Sequence, residues 1–206
     1  GVRVVAVDLS APMLAELGSA LEREPAAVRR RVEIVQGDMR SVRLRRRFPL
    51  VIAAFNTVLH LYTRQDMEAF LARVRAHLAP RGRLVFDFAV PQGEDLCRDP
   101  DRRFGAPRMR HPTTGQLVRY AERFEYDPLR QLMLVHLEFT PEDGGRPWTV
   151  PLVHRQFFPR EMEALLHYNG FGDIACTADF TDLPPDEGVE SLIVTCRPLA
   201  GGRRRN

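Results

Sequence analysis

Two aspartates and one short segment hold side chains that are suited to binding a nucleoside. Asp8 ends the apolar run 4–7, Asp38 follows a second apolar run, and residues 55–62 follow a third. These runs are rich in β-branched and aliphatic residues, which is typical of strands buried in a parallel sheet. Ligands of open α/β sheets bind beyond the carboxyl ends of the strands, so we expect these residues at one ligand site.

The two carboxylates suit different parts of an adenosine. A carboxylate at a strand end can accept hydrogen bonds from both ribose hydroxyls, and we assign that role to Asp8. Capping of the next helix is its alternative role, although Ser10 offers a better cap. Asp38 is predicted to accept from an exocyclic amine where Gly37 lets the backbone turn, but an ordinary turn aspartate fits this position equally well.

Two histidines are candidates for a catalytic base. His60 follows the third apolar run closely, and His154 lies in a later strand-like segment. Histidine changes charge near neutral pH and can therefore remove a proton from an acceptor. A bond within its own loop is the alternative for His60, and a place on a sheet surface is the alternative for His154. Neighbouring residues of a strand face opposite sides, so one of His154 and Arg155 at most can face a pocket, and we choose His154.

The elements that must position these residues change type along the chain. Residues 1–90 alternate strand-like runs with helical repeats, which predicts a parallel α/β sheet. Residues 91–115 are rich in Pro, Gly, Asp and Arg, which favours a long surface connection or lid. A three-stranded antiparallel meander is predicted after it, over residues 117–126, 131–140 and 148–158.

The remaining residues are predicted to close a single domain. A helix begins near Pro159 and ends near Gly170, and two strands follow at about 173–180 and 190–197. The domain then has three parts, an α/β part over 1–90, a lid and antiparallel insert over 91–158, and a helix and hairpin over 159–200. Tyr120, Phe124 and Tyr126 alternate in the insert, so they either wall an acceptor site or belong to its core.

Composition excludes several classes of function. The 206 residues include 30 basic side chains, and all of them are arginine. Chemistry that depends on a Walker lysine or a Schiff-base lysine is therefore excluded. The net charge of +3 equals the three arginines at 203–205, so the rest of the chain is neutral and no nucleic-acid partner is predicted.

Cysteine usage and hydropathy indicate the compartment. Cys97, Cys176 and Cys196 are too few and too widely spaced for a disulfide framework or a zinc site, and no metal site is predicted. No apolar run approaches the length that crosses a bilayer. We therefore expect a soluble, cytoplasmic protein that does not bind membranes.

Four segments together resemble the class I S-adenosylmethionine (SAM)-dependent methyltransferases. They are VVAVDLSAPML at 4–14, GDMR at 37–40, FNTVLHL at 55–61 and LAPRGRL at 78–84. The antiparallel insert resembles that of the branch containing sugar N,N-dimethyltransferases. The resemblance implies a Rossmann-like sheet with an antiparallel β insert and a closing β hairpin, SAM as cofactor, and a small-molecule acceptor methylated on N or O. It also implies that the cofactor is bound by Asp8, Leu9, Met13, Gly37, Asp38, Met39, Phe55 and Asn56.

The sequence departs from that family at its first strand. The family's glycine-rich loop is not found, since no G-x-G occurs before residue 170. The family's strand order is 3-2-1-4-5-7-6, so we expect a gap between the strands that carry Asp8 and Phe55. The first strand and helix are expected to precede Gly1, and the chain without them is expected to bind the cofactor poorly. Two alternatives remain, a non-catalytic or truncated protein with the methyltransferase fold and an NAD(P)-binding dehydrogenase.

Overall fold

The computed structural model describes residues 1–111 and 114–199, except the side chain of Ala106. Its strands form three hydrogen-bonded sheets. A parallel pair contains β1 (Val4–Asp8) and β2 (Val32–Gln36). The second sheet has the order β3-β4-β10-β9, with β3 (Phe48–Ala53), β4 (Leu78–Ala89), β9 (Phe171–Ala178) and β10 (Ser191–Pro198). The third, antiparallel sheet contains β5 (Phe104–Arg110), β6 (Leu117–Asp127), β7 (Leu132–Pro141) and β8 (Trp148–Arg155) in chain order.

Helices connect several of the strands. They are α1 (Ala11–Glu22), α2 (Ala26–Arg29), α3 (Arg64–His77), α4 (Gly93–Leu96) and α5 (Pro159–Tyr168). A 3-10 helix over Thr57–His60 follows β3. The elements through residue 90 alternate strand and helix as predicted, except that β2 is followed by β3 with no helix between them.

The gap that the sequence predicted lies between β1 and β3. These two strands share no backbone pairing, and two hydrogen bonds tie residues 1–47 to the rest of the described chain. Arg40 donates from a terminal guanidinium nitrogen to Asp66 Oδ1 at 2.6 Å, and the Leu44 N–H donates to His77 Nε2 at 3.0 Å. Both bonds end on α3, so this helix positions the parallel pair relative to the second sheet.

The hydrophobic core lies within the second sheet and the helices that cover it. Phe86 and Phe88 of β4 pack with Leu71 of α3 and Leu166 of α5, and all four side chains are buried. No side chain of residues 1–47 is buried, and the apolar residues of α1 reach only partial burial. Because apolar burial is the main source of folding free energy, we expect the parallel pair to be the less stable part of the chain.

Local chemistry sets the limits of α3. The Thr63 hydroxyl accepts from the Asp66 N–H, and the Asp66 carboxylate accepts from the Thr63 N–H, which forms a complete capping box. Leu78 continues the apolar spacing of Leu71 and Val74, yet it is already extended and begins β4. Pro80 lies two residues on, where it cannot continue the helix. A side chain at Gly82 would meet the Ala79 and Phe48 carbonyl oxygens at 2.9 and 3.0 Å, so glycine is required there.

The prediction of a long connection over 91–115 is wrong for residues 104–110. Phe104–Arg110 forms a strand, β5, so the insert has four strands where the sequence predicted three. Gly105 and Pro107 concealed this strand because both are unfavourable inside a sheet. At the edge of a sheet Pro is tolerated, and the register of β5 with β6 shifts between Ala106 and Met109.

Candidate functional site

Asp8 lies where the sequence placed it, at the carboxyl end of β1. Its Oδ1 accepts the N–H of Ser10, the residue before α1, at 2.7 Å, so Asp8 makes a local bond but does not cap the helix. Ser10 itself caps α1 by accepting the Met13 N–H at 3.4 Å. Oδ2 of Asp8 makes no hydrogen bond within the described chain, so one carboxylate oxygen is available to a ligand. Beside it, the apolar side chains of Leu9 and Met13 are 65% and 61% exposed.

Asp38 is held in place by Arg40. The Arg40 backbone N–H and Nε donate to Asp38 Oδ1 at 2.8 and 3.0 Å, and the guanidinium also reaches Oδ2 at 2.6 Å. These bonds from Arg40 hold the pKa of the Asp38 carboxyl below its usual value. The adjacent Met39 packs against the core, and a Cβ at Gly37 would lie 3.2 Å from the Val42 side chain. The Asp38 oxygens that were predicted to accept a hydrogen bond from the adenine amine are therefore already bonded to the Arg40 guanidinium.

Phe55 and Asn56 form a strained turn at the end of β3. Both residues have left-handed backbone angles, with φ of 61° and 59°. The buried Asp87 accepts the N–H groups of Phe55 and Asn56 at 2.6 and 2.9 Å, and Asn56 Oδ1 accepts the Ala89 N–H at 2.7 Å. The Phe55 ring is 90% exposed. Such conformations persist where surrounding bonds fix them, and here Asp87 supplies two.

Asp87 is a site residue that sequence reasoning missed. Its signal was present, because a carboxylate interrupts the apolar run 84–88, which forms the centre of β4. A buried carboxylate requires hydrogen-bond donors, and those donors come from the neighbouring strand end. Register between β3 and β4 was needed to identify them.

His60 and His154 are brought together by the fold. Their ring centroids lie 5.1 Å apart at an interplanar angle of 68°. The contact forms where β8 of the insert packs against the 3-10 helix, and the Tyr62 hydroxyl donates to the Val153 carbonyl oxygen at 3.3 Å beside it. Burial lowers the pKa of His154, and the nearby His60 lowers it further.

The two faces of the insert sheet differ as the alternation of β8 predicted. His154 faces His60, whereas the Arg155 guanidinium bonds Glu161 at 2.7 Å on the opposite face. The register pairs His154 with Met133 and Met133 with Tyr126. Tyr120, Phe124 and Tyr126 therefore share a face of the sheet with His154.

The predicted site residues form two groups separated by the gap. Asp8, Leu9, Met13, Gly37, Asp38 and Met39 lie on the parallel pair and its loops. Phe55, Asn56 and His60 follow β3, and His154 reaches them from the insert. The strand ends of both groups are placed as a ligand lying across the gap requires.

Comparison with known proteins finds two matches that each cover part of the chain. A model of the methyltransferase domain matches residues 1–82. Over 84 residues the chain is 38% identical to dTDP-3-amino-3,6-dideoxy-alpha-D-glucopyranose N,N-dimethyltransferase of Streptomyces fradiae. The aligned segment is 41% of this chain and spans only 30% of that enzyme.

Two solved structures extend the likeness to nearly the whole chain. The CcbJ methyltransferase from Streptomyces caelestis has a TM-score of 0.83 and 24% identity, and the match covers 97% of this chain and 76% of that one. The chain has the class I methyltransferase fold. A SAM-bound amino pentose methyltransferase from Micromonospora echinaspora gives a TM-score of 0.63 at 24% identity, over 94% of this chain and 73% of that one. The Rossmann-like fold that the resemblance implied is thus confirmed.

The methyltransferase fold accounts for the order of the strands. The sheets run β2-β1 and then β3-β4-β10-β9, which is the family order with the gap at the predicted position. Within the described ranges, no helix has the length and hydropathy to span a membrane.

Proposed function

We propose that the protein transfers a methyl group from SAM to an amine of a small-molecule acceptor. The single observation that carries this is the contact between His60 and His154, which puts two proton-accepting side chains beside the strand end of a methyltransferase fold. The amino-sugar names of the Streptomyces fradiae and Micromonospora echinaspora enzymes support an amine over a hydroxyl.

The residues of the parallel pair fit the adenosine part of SAM. Asp8 keeps one carboxylate oxygen free for the ribose hydroxyls, and Leu9 and Met13 offer exposed apolar surface for adenine. Asp38 is proposed to act with Arg40 as one unit at the adenine edge, because the guanidinium bonds both of its oxygens. We place the methionine end of SAM at the turn of Phe55 and Asn56.

SAM supplies a methyl group that is bound to a positively charged sulfur. After transfer the sulfur leaves as a neutral thioether, so the leaving group needs no catalytic assistance. The protein then has to align the acceptor nitrogen, exclude water and receive one proton. We assign the proton to His154, since burial keeps this side chain neutral and able to accept at neutral pH. We assign to the adjacent His60 side chain the role of keeping the His154 ring in its orientation.

Two substitutions separate cofactor binding from acceptor chemistry. Asp8→Ala should weaken SAM binding by about 1–3 kcal/mol, or about 5- to 150-fold, because it removes a hydrogen-bond acceptor for the ribose. His154→Ala should change the Kd for SAM less than about threefold and lower turnover or raise the acceptor KM. Calorimetry of the full-length protein with SAM, and its methyl transfer to dTDP-3-amino-3,6-dideoxy-glucose, measure the two effects.

Glu16→Ala, on the exposed surface of α1, is the control for Asp8→Ala. Unchanged SAM affinity in Asp8→Ala contradicts the ribose assignment. If His154→Ala weakens SAM binding but leaves turnover and the acceptor KM unchanged, the insert contributes to the cofactor site. That result contradicts the proposed role of His154.

A further inference from the structure

One face of the insert sheet is aromatic and apolar around a single carboxylate, Glu122. The register places Glu122 opposite Leu137 on β7 and opposite Phe104 on β5. Along β6 its neighbours on the same face are Tyr120 and Phe124, and the side chain is half-buried. A carboxylate in such surroundings is costly unless it is paired with a cation or fully hydrogen-bonded.

Glu122 differs from the other carboxylates of the sheet in its partners. Glu138 pairs with Arg103 and Arg123, and Glu142 pairs with Arg108 and Arg119, all on the opposite face or at the edge. In the described part of the chain, Glu122 has no cation within salt-bridge distance. Its one hydrogen bond comes from the Tyr120 hydroxyl.

The Tyr120 hydroxyl orients the Glu122 carboxylate, and the guanidinium groups of Arg98 and Arg102 lie over the Phe104 ring without forming a salt bridge to that carboxylate. Burial, together with the bond to Glu122, raises the pKa of Tyr120 to about 12, so its hydroxyl stays a donor at neutral pH. The Arg98 guanidinium lies 4.6 and 4.3 Å from the Phe104 and Phe124 ring centroids, and it bonds Asp95 at 2.6 Å. Arg98 is thus engaged by two rings and another carboxylate.

The carboxylate shares its face with the proposed base. His154 is four residues along and two strands across from Glu122, which corresponds to about 16 Å between backbones at ordinary strand spacings. Aromatic rings border the far end, where Phe139 stacks on Trp148 at 5.2 Å and Tyr120 lies 5.1 Å from Phe139. A molecule of two sugar-sized rings can contact both ends of this face.

We propose that Glu122, held by Tyr120, binds a second, positively charged amine on the acceptor, while the amine to be methylated lies at His154. This inference rests on the proposed function and names its acceptor as a molecule with two amines on linked rings. The ammonium donates to the Glu122 carboxylate, and the nearby aromatic rings contact the apolar faces of the sugar.

The test uses a matched pair of disaccharides in the absence of SAM. β-1,4-linked diglucosamine carries two amines, and cellobiose has hydroxyls in their place. Calorimetry should show diglucosamine binding about tenfold more tightly than cellobiose to the unaltered protein. Glu122→Gln should remove most of this preference at unchanged melting temperature, and Glu125→Gln, on the same strand but the opposite face, should retain it.

Tyr120→Phe gives a second measurement that keeps the carboxylate. It should reduce the preference by about threefold, because the carboxylate loses the donor that orients it. Equal binding of the two sugars, or a preference that survives in Glu122→Gln, overturns the proposal. Methylation of a one-ring amino sugar by the unaltered protein is measured separately. If methyl transfer is absent while diglucosamine binding depends on Glu122, the result contradicts the proposed function and not the amine site at Glu122.

Discussion

At the scale of single residues, the site depends on how neighbouring charges set the state of each group. His154 is half-buried beside His60, and both its burial and the proximity of His60 favour its neutral form. Asp38 is bonded to a guanidinium, which favours its ionised form. The base that accepts a proton is therefore kept neutral, and the carboxylate that fixes a loop is kept charged.

The pH dependence of turnover tests the assignment of His154. The pKa of this side chain lies below its usual 6.5, so the active, neutral form persists into mild acid. We expect kcat to stay level above pH 6.5 and to fall only below it. His60→Gln should move that acid limb to higher pH, because the neighbour that lowers the pKa of His154 is gone.

The same substitution distinguishes the two histidines. If His60 were the base, His60→Gln would abolish turnover instead of moving the acid limb.

The lowered pKa of His154 also affects stability, because the unfolded chain binds the proton more readily than the folded one. The contribution of His154 to the free energy of unfolding is therefore lost as the pH falls below 6.5.

At the scale of elements, β4 controls the shape of the neighbouring strand end. Asp87 accepts two N–H groups from the turn after β3, and it does so from a position that is only 5% exposed. The turn has two consecutive left-handed residues, which cost free energy unless they are fixed. This arrangement orients the backbone where we place the methionine end of SAM.

Asp87→Asn tests this arrangement with a side chain of the same size. An amide presents one acceptor and one donor group, so one turn N–H should face a donor and lose its bond. We expect unfolding by urea to show a loss of about 1–3 kcal/mol, together with weaker SAM binding. Asp182→Asn, at an exposed position, should change neither quantity. Unaltered SAM affinity in a destabilised Asp87→Asn protein would show that the turn serves stability alone.

At the scale of the whole molecule, the chain has a well-packed part and a loosely attached part. Residues 1–47 contain no buried side chain, and they contact the rest through the hydrogen bonds of Arg40 and Leu44 and through Met39, which packs against the core. The Val4 N–H donates to Arg31 and the Asp8 carbonyl accepts from Gly37, so alternate residues of β1 face β2. In a parallel strand the residues between them, Val5 and Val7, direct their backbone groups towards the gap.

Hydrogen exchange should report this division. We expect the amides of Val5 and Val7 to exchange faster than those of Val4 and Ala6, because only the latter are bonded across the parallel pair. Amides at the centre of β4 and β10 should be the most protected, since they lie in the core sheet. Equal protection of all four β1 amides would mean that another segment pairs with this edge in solution.

The sequence by itself predicted most of the elements and, for several candidate site residues, the strand ends and sheet faces on which the structure places them. Apolar runs that end in Asp8 and before Phe55 predicted the parallel strands, and the departure from the family pattern predicted the gap between them. Strand alternation selected His154 over Arg155. These inferences succeed because side-chain periodicity and capping are local properties of the chain.

Tertiary structure decided the features that depend on register and on contacts between distant segments. The bond of Asp87 to the turn after β3, the meeting of His60 with His154, and the position of Glu122 among aromatic rings each require two or more elements to be placed together. The edge strand β5 was hidden because its Pro and Gly are unfavourable locally and are tolerated only where a partner strand pairs with it. Local sequence cannot supply that partner, since its energy comes from pairing with residues far away in the chain.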